Sequence, residues 1–340
     1  MKIKASLLAG LVASAPFAFA QDIEVATDPV GYVSVDLVAA GDTIVSVPMH
    51  RAPVFQGIPE SIDGSSINFA AGTGIQPENP EYFVMVRSGS LAGVRANVVG
   101  VENDGDTLVI DDQVDLSGLN TGEGGDAVQL IPHWTLSTLF PEDLPIGTQV
   151  LVYDRNVAGI NKSSVNEYEW FEAGGDFGTV WIDRDSELAD DDVIFQGESV
   201  VIRSDAGSSV SFVMAGSVPM AAHRDSLLTT AAGIPQDQHI GLMVPTDVKV
   251  GELQDLGFPA SPGDQILVFD NSVGGINKSS VEEYEAFEFE GDIVWINRDS
   301  ELVGDDDILR AGVGYIFRKA ATDSPSEVVW TYNPNYLESN

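Results

Sequence analysis

The sequence predicts an all-β protein made of two related sandwich-like or barrel-like units, the first carrying an inserted β segment. Three observations lead there. Short β-branched and aromatic runs recur along the chain, bounded by Gly, Asn, Asp and Pro. Gly and Pro are frequent, at 34 and 17 residues, so turns can form throughout. A long block of sequence also occurs twice. Helical periodicity is confined to residues 135–140 and 249–256, each one or two turns ending near Pro or Gly.

Taken from the N-terminus, residues 1–20 read as a signal peptide. Lys2 and Lys4 give a short positive region, residues 7–12 begin an apolar stretch, and Ala18-Phe19-Ala20 has the A-x-A form, so cleavage falls before Gln21. The apolar stretch is short for a span and Pro16 interrupts it, which argues against a membrane anchor. The expectation is export to the periplasm, cell surface or medium, with no transmembrane span.

The first unit is expected over residues 21–204. Its strand signals fall at 32–38, 43–47, 82–86, 107–110, 149–153, 180–182 and 199–202. Residues 147–172 (GTQVLVYDRNVAGINKSSVNEYEWFE) and 263–288 (GDQILVFDNSVGGINKSSVEEYEAFE) are the repeated block. Eighteen of these 26 positions are identical without a gap. The match resumes at VWIDRDSEL (180–188) and VWINRDSEL (294–302), then continues through an acidic run to VVIRS (200–204) and YIFRK (315–319). A weaker echo is Ser46-Val47-Pro48-Met49 against Ser217-Val218-Pro219-Met220, each followed shortly by His-Arg. The second unit is therefore expected over 205–320, the insert of the first at about 55–127, and a C-terminal tail at 321–340. Two copies are too few for a solenoid, so two packed domains are expected.

Charge restricts the partners. The chain has 53 Asp and Glu against 16 Lys and Arg, for a formal net charge of −37. Loss of residues 1–20 removes two lysines and no acid, leaving −39. A phosphate backbone or an anionic bilayer would be repelled, so no nucleic-acid partner is expected. Such acidity suits either a salty medium that screens self-repulsion or simple solubility. The absence of Cys removes disulfides, thiolate metal sites and Cys nucleophiles.

The acidic loops carry the candidate metal ligands. Asp183, Asp185 and Glu187 are followed by Asp191 and Asp192; in the second copy Asn297, Asp299 and Glu301 are followed by Asp305 and Asp306. Oxygens at alternate positions suit a hard cation, and Ca²⁺ takes about six to eight of them. The sixth position is Leu188 or Leu302 where an EF-hand needs Gly, so any calcium loop here is of another kind. The competing reading is a solvated acidic turn offset by Arg184 or Arg298. The GINKSS segments read as turns that position the next strand, because Asn161, Ser163 and Ser164 can bond nearby backbone. Asn161-Lys162-Ser163 and Asn277-Lys278-Ser279 also match a glycosylation acceptor, a match expected to arise by chance. Tyr168, Trp170 and Trp181, with Tyr284, Phe287 and Trp295, could form a sugar-stacking platform or face the core.

No catalytic residue is assigned. The chain has no nucleophile elbow, metalloprotease helix, P-loop or dinucleotide fingerprint. His50, His133, His223 and His239 are the only histidines, and Glu167 with Glu169 is one acid pair among many. A hydrolase would need a cleft that gathers such groups from distant segments.

The segments DPVGYVSVDL, TIVSVP, YFVMVRSGSLAG, IPHWTLSTLFP and VYDRNVAGINKSS together resemble a paralogous family of uncharacterised secreted, β-rich bacterial proteins. The resemblance covers most of the chain after residue 20 and implies secretion and a β-rich build, but no activity or cofactor. The acidic loops after the repeat tryptophans depart from that pattern. The functional expectation is a secreted, acidic, non-enzymatic structural or binding protein of the cell envelope or extracellular matrix, without a cofactor other than calcium. The alternatives are an extracellular polysaccharide-binding module and a secreted hydrolase.

Overall fold

The computed structural model describes residues 29–76, 81–175, 178–230 and 233–337. The expected signal peptide, residues 1–20, lies outside them. Strands make up 44 % of the described residues and helices 4 %, so the fold is all-β. The expected helical turns appear as Leu136–Leu139 and the 3-10 turn Val250–Glu252. Among the described residues no helix is long and apolar enough to cross a membrane.

Two five-stranded antiparallel sheets dominate. The first runs Thr179–Ile182, Asn166–Glu172, Gln149–Val152, Ser199–Ser204, Gly41–Ser46. The second runs Asp292–Ile296, Glu282–Phe289, Gln265–Val268, Gly314–Lys319, Gln236–Gly241. The two orders correspond strand for strand. Each sheet is accompanied by a two-stranded ribbon: Val30–Leu37 with Val210–Ser217, and His223–Thr229 with Ser326–Tyr332. Residues 321–340, expected as a tail, thus contribute a strand. Strand 210–217, expected in the second unit, pairs with Val30–Leu37, the first strand among the described residues.

Alternation explains the ribbons. Along Val30–Leu37 the side chains of Val33, Val35 and Leu37 turn inward while Tyr32, Ser34 and Asp36 stay outside or half-buried. The first core gathers those residues with Val45, Val150, Trp170, Trp181, Val200 and Phe212. The second gathers Leu227, Ile240, Ile266, Trp295, Phe317 and Trp330. Between Gly41–Ser46 and the rest of the first unit, strands from Phe55 to Pro132 build a separate seven-stranded sheet around Ile67, Val84, Leu108 and Leu130. This is the insert.

The SVPM echo does not mark equivalent places. Ser46 ends an edge strand of the first sheet, whereas Ser217 ends a ribbon strand. His50 instead meets Ser217 directly, each backbone N–H donating to the other's carbonyl at 3.3 and 2.8 Å. The edges of the two large sheets come together through the isolated bridges Val45↔Val313 and Glu198↔Ile240. The approach is close because Gly241 faces Ser46 and Gly314 faces Ser199, and a Cβ at either glycine would overlap the serine.

Candidate functional site

The repeated GINKSS segments join the two units. In the second copy, Asn277 donates its backbone N–H to Asp42 Oδ2 at 2.8 Å, and the Gly275 carbonyl accepts from Asp42 N at 2.9 Å. In the first copy, Asn161 N–H donates to Asp237 Oδ2 at 2.9 Å, and the Gly159 carbonyl accepts from Asp237 N at 3.0 Å. Each unit's loop therefore grips the other unit's edge strand. Asp42 is also held by Arg203 through bonds of 2.8 and 3.1 Å, and Asp237 by Arg318 through bonds of 2.6 and 3.2 Å. These forked pairs are the strong form of an ion pair. Asn161 and Asn277 sit at φ 51° and 53°, left-handed conformations that Asn tolerates. Lys162 and Lys278 brace the loops from within by donating to the carbonyls of Asp154 and Val157, and of Asp270 and Val273. The sequence reading saw a local turn here; the grip is long-range and left no local signal.

The acidic loops are tight turns. Asp183 Oδ1 accepts from the N–H groups of Asp185 and Glu187, both at 2.9 Å; Asn297 Oδ1 accepts from Asp299 and Glu301, both at 3.0 Å. The leading oxygen is thus engaged by backbone. Asp185, Glu187, Asp191 and Asp192 are exposed, as are Asp299, Glu301, Asp305 and Asp306. Asp305 pairs with Lys249 at 2.8 Å. Arg184 pairs with Glu167 at 2.9 Å, and Arg298 donates to the Ser280 carbonyl and hydroxyl. Among the described residues no group of three or more His, Asp or Glu side chains converges as a metal cage.

Most of the aromatic residues singled out in the repeat face inward. Tyr168, Trp170, Trp181, Tyr284 and Trp295 are all 5 % exposed or less, whereas Phe287 and its counterpart Phe171 are open, at 47 % and 41 %. Of the two readings, these five rings follow core packing and build no stacking platform.

A cleft of about 720 Å³ opens instead where the insert and both units meet. Arg95 comes from the insert, Arg155 and Glu198 from the first unit, and Asp225 from the second. Arg155 forks onto Asp225 at 2.6 and 3.2 Å, and Arg95 stands 3.9 Å from the same carboxylate. Arg95 also donates to the carbonyls of Gln196 and Arg224. Burial pushes the Asp225 carboxyl up, but the two guanidiniums outweigh it and leave it below its ordinary value. For Glu198 the balance runs the other way. Burial pushes it up to about 7 against the pull of Arg155, the Phe195 N–H and Arg95. Glu198 Oε2 accepts that Phe195 N–H at 3.2 Å, and the Phe195 carbonyl accepts from Glu198 N at 3.1 Å.

This turn presents the Phe195 ring, 42 % exposed, on the cleft wall. His133 meets it edge-on, with ring centroids 5.1 Å apart, and hydrogen-bonds Asn97 Oδ1 at 3.2 Å. Burial and Arg95 lower the His133 pKa to about 4, so the ring is neutral in the cleft. Asn97, Asn156, Gln113 and Gln196 add amide donors and acceptors. Sequence reasoning missed Arg95, Phe195, Glu198 and Asp225, because each is ordinary in its own segment. No protein-family model, curated protein or solved structure matches the chain.

Proposed function

We propose that the chain is an exported, acidic, non-enzymatic binding protein of the cell envelope or extracellular matrix, and that the three-way cleft binds a stretch of polysaccharide. The observation that carries this is the pairing, in one open cleft, of an exposed Phe195 face with planar amide, guanidinium and carboxylate groups. Sugars offer apolar C–H faces together with rings of hydroxyls that both donate and accept, so they match such a wall. The charged groups are largely committed to one another, which favours a neutral ligand over an ion. Asp225 is engaged by Arg155, and Glu198 holds the Phe195 turn, so both act as framework.

The matching strand orders and the reciprocal loop grip further support an origin of the two sheet units by internal duplication. The insert then supplies the wall that turns a symmetric pair into a one-sided cleft.

The test is affinity electrophoresis against a panel of bacterial and algal polysaccharides, followed by titration calorimetry on any hit. Phe195→Ala is expected to weaken binding about tenfold, the equivalent of about 1.4 kcal/mol. Absence of any binding, or binding unaffected by Phe195→Ala, overturns the reading. A hydrolase reading draws on one observation, the raised Glu198 in a cleft, which is the state of a general acid. Release of reducing ends by the wild type but not by Glu198→Gln would favour it.

A further inference from the structure

The insert carries a second cavity, of about 660 Å³, beside the cleft. The two are neighbours, because Gln113, Val114 and Asp115 line both. Ile62, Leu116 and Leu119 give the second cavity aliphatic surface, and Ser65, Ser117 and Thr121 give it hydroxyls. The two leucines are buried, whereas Ser117 and Thr121 are exposed. The charged residues that line it are Asp112 and Asp115.

The shared wall is held in place from within. Asp111 Oδ1 accepts from Gln113 N at 2.9 Å, Asp112 Oδ1 from Gln113 Nε2 at 2.7 Å, and Asp115 Oδ1 from Ser117 N at 2.8 Å. Adjacent residues then tie the two cavities together. Asp111 N donates at 2.8 Å to the carbonyl of Asn97, which lines the cleft. Ile110 N donates at 2.9 Å to the carbonyl of Ser65, which lines the second cavity. A wall ordered in advance lowers the entropy cost of binding across it. The carboxylates are again framework, as in the cleft, and the Ser117 N–H and hydroxyl hold the Asp115 carboxyl below its ordinary value. A negatively charged ligand meets repulsion here. An uncharged chain of hydroxyls and C–H faces meets partners of both kinds in each cavity.

We propose that the two cavities form one track, in which a single uncharged polysaccharide strand passes from the cleft across the wall 113–115 into the cavity of the insert. This rests on the polysaccharide reading of the cleft. Phe195 supplies the aromatic face at one end, and Ile62, Ser117 and Thr121 supply aliphatic and hydroxyl contacts at the other. One strand that reaches both ends makes the second contact intramolecular, so affinity multiplies with chain length. The track selects long neutral strands over short or anionic ones.

The test is titration calorimetry of the full chain with laminari-, cello- and mannooligosaccharides, from disaccharide to decasaccharide. Affinity is expected to keep rising beyond the shortest oligosaccharide that binds, by at least about tenfold. Replacing Ser117→Ala together with Thr121→Ala should weaken the longest oligosaccharide by about threefold or more and leave the shortest binder unchanged. Phe195→Ala should weaken both. Affinity in the wild type that stops rising at the shortest binder, while Phe195→Ala still weakens it, overturns the track and leaves the cleft reading standing; this outcome needs no variant of the second cavity. Binding of alginate, a polyuronate, as tight as that of the neutral decasaccharides also overturns the track. Silence from every neutral probe removes the track and the cleft reading together.

Discussion

At the floor of the cleft, Glu198 takes up its proton near pH 7, while the unfolded chain releases it near the ordinary value of 4.5. Between those values the folded state holds a proton that the unfolded state has lost. The contribution to stability is therefore full below about 4.5 and disappears as pH rises through 7. Glu198→Gln removes this dependence. Urea melts should find the variant equal to the wild type at pH 5 and more stable by about 1–2 kcal/mol at pH 8, the smaller end reflecting partial exposure. His133 and His239 work in the opposite direction. Burial first, then Arg95 or Lys162, depresses each to about 4 from an ordinary 6.5. The unfolded chain gains those protons first, so stability falls as pH drops from about 6.5 to 4. His239 stacks flat on Tyr153, with centroids 3.8 Å apart, so His239→Phe should keep the stack and blunt this acid loss.

The loops show what a local sequence can and cannot say about an element. The block 147–172 announces its strands by alternation and its turn by Gly, Asn and Ser, and those elements form where expected. Its partner across the interface is invisible to any such pattern, because Asp42 and Asp237 lie far away in the chain from the loops that grip them. Asp42→Asn and Asp237→Asn each weaken one forked pair and one loop contact, leaving a half-buried guanidinium poorly matched. Each should cost about 2–4 kcal/mol by denaturant melts, by similar amounts, since the two contacts are geometric counterparts. A large effect at one site and none at the other would break the equivalence. The acidic loops make the converse point. Their spacing suits a hard cation, but Asp183 and Asn297 spend the leading oxygen on two backbone N–H groups of the turn. The calcium expectation becomes a simple measurement. Millimolar Ca²⁺ should move the melting temperature by less than about 1 °C, and a rise of several degrees would restore the calcium loops.

At the scale of the molecule, β-branched runs, turn residues and the internal repeat made the all-β build readable in advance. The cleft was not readable, for a physical reason. Arg95, Arg155, Glu198 and Asp225 are separated by long stretches of chain and meet only when the insert folds against both units. Tyr168, Trp170 and Trp181 face the core, as rings on a strand usually do: a strand hides its large rings wherever a second layer exists to cover them. The proposed function places binding at the seams between modules rather than within the repeat, and hydrogen–deuterium exchange with the best-binding polysaccharide tests that proposal most directly. Protection is expected together in 95–97, 153–156, 195–198 and 224–226, one cluster drawn from the insert and both units. Protection confined to the outer sheet strands 166–172 and 282–289, with those four segments unchanged, would contradict the account.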